Sequence, residues 1–240
     1  MLTISHFSKT YPGGKQAVKD LSLSVQAGEI FGFIGHNGAG KSTTLRAVAG
    51  ILPFEEGEIT IDGNSIQKQP VAAKSITAFL PDNPDLYEFM TGIRFLNFIC
   101  DLYNISAQDR TQRIGYYGDL FELTSALGNA IGSYSHGMKQ KLALISAFVR
   151  SPRLLILDEL FVGLDPKASH LLKEELKKLC QQGGAVLFST HVLEVAEKLC
   201  NRIGIIRQWQ LVACGNTAEI VGSSSLEEVF LELEKEGETK

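Results

Sequence analysis

The chain has 240 residues, 44% of them hydrophobic, with 23 Lys+Arg against 27 Asp+Glu and a formal net charge of −4, which is enough apolar material for a sizeable core. Residues 226–240 hold six Glu and two Lys, so acids and bases balance over the remainder. With no basic stripe, no nucleic-acid partner is expected. Cys100, Cys180, Cys200 and Cys214 lie far apart, with no C-x-x-C pair and no zinc spacing, and are read as reduced, buried thiols of a cytosolic protein. No leader pattern opens the sequence and no run reaches the ~18 apolar residues of a membrane span, so the chain is not expected to cross a membrane unaided.

In chain order, residues 1–28 alternate apolar and polar at Leu2/Ile4 and Leu21/Leu23/Val25 around the turn-rich Tyr11-Pro12-Gly13-Gly14, which predicts antiparallel strands. Glu29 to Ile34 reads as a short buried strand, and Ser42 to Leu52 as a helix ended by Pro53. Glu58 to Gly63 alternates again and adds to a small antiparallel sheet. From about Pro84 to Val149 helical spacing takes over, with Ile93, Leu96, Phe98 and Ile99 on one segment and Leu142, Ile145, Phe148 and Val149 on another. Two buried runs, Leu154 to Leu157 and Ala185 to Phe188, flank a helix carrying Leu171, Leu172, Leu176 and Leu179 and predict a parallel sheet. Leu226 to Leu233 has helical spacing, with acids where the helix dipole favours them.

Between the strand and the helix at residues 29–52 lies Gly35-His36-Asn37-Gly38-Ala39-Gly40-Lys41-Ser42, which fits G-x-x-x-x-G-K-[ST] at every fixed position. Such a loop wraps a polyphosphate with backbone N–H groups at a helix N-terminus. Lys41 reaches the β- and γ-phosphates and the Ser42 hydroxyl ligates Mg²⁺, and Thr43 continues the site. The chain is therefore expected to bind a nucleoside triphosphate. Asp158 and Glu159 stand at the C-terminal end of a buried strand, where open α/β sheets bind ligands. There Asp158 is expected to hold Mg²⁺ through water and Glu159 to orient and deprotonate the attacking water. Ser135 is a candidate N-cap, with Gly137 just inside the helix that follows, a second anion-binding terminus that one nucleotide hardly needs.

Over nearly its whole length the chain resembles the nucleotide-binding subunit of an ATP-binding cassette (ABC) transporter. Tyr134-Ser135-His136-Gly137-Met138 resembles the family's L-S-G-G-Q signature, keeping Ser135 and Gly137, which carry its phosphate contacts. Gly163-Leu164-Asp165 resembles the D-loop and His191 the switch histidine that senses the γ-phosphate, while Tyr11 sits where the family stacks an aromatic ring on adenine. Asp82 stands in place of the Q-loop glutamine and either joins the Mg²⁺ ligands through water or does not reach the ion. Leu160-Phe161 replaces the common Pro-Thr after the catalytic glutamate. The resemblance implies an α/β fold: a P-loop NTPase core with a parallel sheet (1–83 and 150–222), a flanking N-terminal antiparallel β subdomain, an inserted α-helical subdomain (84–149) and a C-terminal acidic helix (223–240).

The same resemblance implies an ATPase using ATP and Mg²⁺, paired head to tail with a second cassette, either a copy or a paralogue. It would sit on the cytoplasmic face of the membrane beneath a separately encoded transmembrane permease. The Tyr134 to Gln140 variant and the Leu226 to Phe230 ending resemble the ABC-2 type exporter subfamily. Leu86, Tyr87, Phe89 and Met90 either face the permease or fold inward. The alternative is a soluble ABC-type regulatory or nucleic-acid-associated ATPase working without a permease.

Overall fold

The computed structural model describes residues 1–160 and 164–238. The chain opens with β1 (Leu2–Thr10), β2 (Gln16–Val25) and β3 (Ile30–Ile34), then α1 (Lys41–Val48). Next come β4 (Glu56–Ile61), β5 (Asn64–Ser65), α2 (Pro70–Ser75) and β6 (Thr77–Leu80). A helical stretch of α3 (Gly92–Leu102), α4 (Ala107–Leu120) and α5 (His136–Phe148) intervenes. The sheet resumes with β7 (Leu154–Asp158), α6 (Pro166–Gln181), β8 (Ala185–Thr190), α7 (Leu193–Leu199), β9 (Arg202–Arg207) and β10 (Gln210–Asn216). Two helices, α8 (Thr217–Val221) and α9 (Leu226–Glu238), close it.

The strands form two sheets. The six-stranded one has the order β10-β9-β3-β8-β7-β6, with β9, β3, β8, β7 and β6 parallel and β10 antiparallel at the edge. The antiparallel one has the order β2-β1-β4-β5. Strands buried on both faces explain the unbroken apolar runs. Along β3, Phe31 and Phe33 pack toward the small sheet and α1, while Ile30 and Ile34 pack toward the helices of the opposite face. Leu154 and Ile156 against Leu155 and Leu157 divide the same way on β7.

The helical stretch leans on the core through α5, whose Leu142, Leu144, Ile145 and Phe148 are buried. Side chains tie it further: the Tyr116 hydroxyl donates to Glu175 on α6 at 3.0 Å, and Arg113 donates to the Val149 carbonyl at 2.9 Å. α9 is no detached tail either. Ser225 and Glu228 form a reciprocal capping box at its start, and Leu226 and Phe230 are buried in the core.

Several expectations are corrected. α1 stops at Val48, well before Pro53, because Gly50 takes φ +67° and its N–H and that of Ile51 bond back to Ala47 and Arg46, closing the helix with a left-handed glycine. On α3 the buried stripe is Phe95, Leu96 and Cys100, leaving Phe98 exposed. Of the cysteines, Cys100, Cys180 and Cys200 are buried and burial pushes their thiols up, but Cys214 is exposed. Leu86 and Met90 pack against the core while Tyr87 and Phe89 face outward, so the loop divides between its two readings. Phe161 and Gly163 lie outside the described residues.

Candidate active site

Adjacent parallel strands β3, β8, β7 and β6 all release their chains at one edge of the sheet. That edge gathers the phosphate loop after β3, His191 after β8, Asp158 and Glu159 at the end of β7, and Asp82 after β6. A cavity of about 300 Å³ opens there, lined by Tyr11, Asn37, Gly38, Gly40, Lys41, Ser42, Thr43, Asp82 and Glu159 among others.

The loop geometry depends on its glycines. Gly40, at φ +112°, is the N-cap of α1, and a Cβ there would stand 2.4 Å from the Ala17 carbonyl oxygen. No side chain caps α1, so its first N–H groups face the cavity without one. Gly35 and Ala39 stand behind the loop. A Cβ on Gly35 would meet the Ile206 carbonyl at 2.4 Å, and Ala39 is buried against the core.

Lys41 is only 5% exposed and curls into the loop, donating to the Gly35 carbonyl at 2.6 Å and the His36 carbonyl at 3.2 Å. Its ammonium lies 3.5 Å from Glu159 Oε1. Ser42 and Ser189 both donate to Asp158 Oδ1, at 3.1 and 2.6 Å, fixing a carboxylate that is 2% exposed. Glu159 adopts φ +53°, a left-handed conformation that non-glycine residues rarely take, secured by its N–H to the Ser189 carbonyl. Its Oε2 meets His191 Nδ1 at 2.8 Å, whereas Oε1 is buried and makes no hydrogen bond among the described residues. A fixed carboxylate whose Oε2 is held by His191 and whose Oε1, beside the Lys41 ammonium, makes no hydrogen bond can hold and deprotonate a water once Lys41 turns to a phosphate.

Tyr11 bonds through its hydroxyl to Thr43 Oγ1 at 3.3 Å, which holds its ring at the cavity wall. Ser135 and Gly137 do not line this cavity. Ser135 caps α5, accepting the Met138 N–H at 3.3 Å, and stands exposed with His136. Asp165 is likewise elsewhere: it caps α6 through Ala168 N–H at 2.7 Å and pairs with Lys141 at 2.9 Å, and these two partners, the backbone N–H first, hold its carboxyl below the usual carboxylate range. One chain thus assembles the loop, Asp82, Asp158, Glu159 and His191, and leaves Ser135, Gly137 and Asp165 outside.

The sequence reading missed three neighbours. Ser189 carried a faint signal, a hydroxyl at the end of an otherwise apolar buried strand. His36, inside the loop motif, packs edge-on against Phe230 at 4.9 Å and lies 3.4 Å from Glu234, joining α9 to the phosphate loop. Trp209 lines the cavity beside Lys15, Gln16 and Ala17 from a distant hairpin, and nothing local in the sequence announces it.

Comparison with known proteins points the same way. A family model described as ABC transporter matches residues 18–162. The ABC-type transporter ATP-binding protein EcsA of Bacillus subtilis is 33% identical over 91% of this chain and 91% of its own length. The linearmycin resistance ATP-binding protein LnrL of the same organism is 35% identical over 92% of this chain and 70% of its own. Among solved structures, an ATP-binding subunit of an ABC transporter superposes with TM-score 0.93 at 32% identity, covering 97% of this chain and 99% of that one. A dimeric ATP-binding cassette bound to ADP and Pi in a post-hydrolysis state is similar in fold, with TM-score 0.80 at 23% identity over 90% of this chain and 99% of that one.

Proposed function

Because the chain belongs to the ABC transporter family as an ATP-binding, ATP-hydrolysing subunit, we propose that its ATP is held between two cassettes and that the cycle of pairing and separation drives a separate membrane permease. The observation that carries this reading is the split between the two halves of the site. Lys41, Ser42 and Glu159 line one cavity, with Asp158 bonded to Ser42 beside it, while Ser135 lies exposed and Gly137 half-buried at a second helix terminus outside it. A terminus with free access suits the phosphates of a nucleotide bound to a partner.

In this reading the N–H groups of Gly38 and Gly40 and the Lys41 ammonium grip the β- and γ-phosphates, releasing Lys41 from the Gly35 and His36 carbonyls. The Ser42 hydroxyl and the Asp158 carboxylate, bonded to one another at 3.1 Å, are paired hard oxygen donors of the kind Mg²⁺ takes, with waters and phosphate oxygens completing the shell. An Mg²⁺ ion held by Ser42 and Asp158 would supply positive charge against the phosphates. Asp82 also lines the cavity and would join the ion only through water. Glu159 Oε1 takes the proton of the attacking water, and His191, on Oε2, fixes the carboxylate and senses the γ-phosphate. Tyr11 stacks on the base. Loss of the γ-phosphate removes charge-assisted hydrogen bonds from the junction, and the cassettes part. Asp165 contacts the partner across that junction.

Among the described residues no helix is long and apolar enough to cross a membrane; in the proposed arrangement the permease is a second polypeptide and this chain lies at its cytoplasmic face. Tyr87, Phe89, Phe98 and Leu102 supply an exposed apolar patch for that contact, with Phe89 84% exposed and Tyr87 6.0 Å from Phe98. The LnrL relative, named for resistance, favours export. The soluble regulatory alternative has no such patch to explain.

The test is the Glu159→Gln variant with excess ATP and Mg²⁺, weighed by light scattering. A doubled mass is expected. A species that stays monomeric, with its permease also present, would overturn the pairing.

A further inference from the structure

Trp209, the sole tryptophan of the chain, sits in an unfavourable place. β9 and β10 are joined by a two-residue turn, Arg207 pairing with Gln210, in which Gln208 and Trp209 take φ +45° and +69°. Such a turn favours Asn-Gly, because both central residues are left-handed. A bulky aromatic at the second position is an outlier that persists only where the surroundings hold it. One such restraint is visible: the Trp209 carbonyl accepts the Lys19 N–H at 2.8 Å, pinning the hairpin onto β2. Neighbouring Lys15, Gln16 and Ala17 line the nucleotide cavity with Tyr11, and Trp209 completes that wall, 38% exposed.

We propose that Trp209 is a second base-recognition residue, whose indole packs against the purine of bound nucleoside triphosphate and adds a second aromatic ring to Tyr11 in the lining of the cavity. The proposal rests on the nucleotide site described above. A flat, apolar ring with few rotatable bonds gives contact at low entropic cost, and stacking on an aromatic side chain accepts a base without reading its edge. The indole therefore adds affinity for the base and none for the phosphates.

Because Trp209 is alone, its fluorescence reports on the unmodified protein: ATP with Mg²⁺ should quench it and inorganic tripolyphosphate should not. By calorimetry, Trp209→Ala should bind ATP about tenfold more weakly, with tripolyphosphate affinity unchanged, and Trp209→Phe should keep most of the wild-type affinity. Trp209→Gly relaxes the turn, so its thermal midpoint should rise while its ATP affinity falls, a split that a merely structural tryptophan would not produce. Unaltered ATP affinity in Trp209→Ala, or equal losses for ATP and tripolyphosphate, overturns the role. Wild-type protein that binds neither probe would overturn the nucleotide site itself, and this proposal with it.

Discussion

The helices α1 and α5 both present N-termini suited to anions, yet they are finished differently. At α1 the cap is Gly40, no side chain answers the first N–H groups, and a nearly buried Lys41 fills the loop. At α5 the Ser135 hydroxyl already takes the Met138 N–H, and the surroundings are open. The first is a site whose donors and charge await a ligand within one chain. The second satisfies itself and, under the proposed pairing, gains a ligand only when another surface brings one. Pre-organisation on one side and exposure on the other is what a nucleotide shared between two bodies needs.

Substitutions can break this contrast in graded steps. The largest effect is expected at the α1 side, where Glu159→Gln should lower turnover by roughly 10²–10⁴-fold while ATP affinity persists, as read by phosphate release and a binding titration. Unchanged turnover would remove Glu159 from the mechanism. Lys41→Ala should weaken ATP by about 10–100-fold, the span of one hydrogen bond to a charged group, and calorimetry would detect it.

The α5 side should respond in the opposite sense. Ser135→Ala is expected to leave the affinity of the isolated subunit for ATP untouched but to weaken ATP-driven pairing in the Glu159→Gln background by about tenfold, measured by light scattering against concentration. A loss of monomer affinity would erase the distinction between the termini. The smallest effect belongs to Asp165→Ala, where removal of the α6 cap should cost about 1 kcal/mol and lower the melting midpoint by roughly 2–4 °C. Since the folded carboxyl titrates below its ordinary 3.8, that cost should be fully present above this value and fade as the pH falls through the folded pKa. Phe89→Glu sharpens a different boundary: ATP turnover of the subunit alone should not change, whereas permease-dependent stimulation should be lost.

Much of the site could be read from order alone. Strand, glycine loop and helix in succession, then an apolar run ending in Asp158-Glu159, and another followed by His191, are local patterns, each set by the chemistry of neighbouring residues. What escaped the reading was of another kind. Pro53 looked like the end of α1, but Gly50 ended it earlier because a left-handed glycine closes a helix wherever its carbonyls can be answered. Phe98 fits the helical spacing of its neighbours and yet faces out, since the stripe that matters is chosen by what α3 packs against, not by periodicity alone.

By itself, then, the sequence determined β1 to β4, β7 and β8, the phosphate loop and the pair of carboxylates that follows β7's apolar run, because backbone conformation and short-range chemistry act over a few residues. Only the tertiary structure decided which distant groups meet there. Ser189 shares Asp158 with Ser42 because β7 and β8 run side by side in register. Trp209 lines the same cavity as Tyr11 because the β9–β10 hairpin is bonded to β2, and His36 meets Phe230 because α9 folds back onto the core. Those meetings follow from sheet order and burial, which bring together residues from about thirty to nearly two hundred positions apart and leave no trace in any local window.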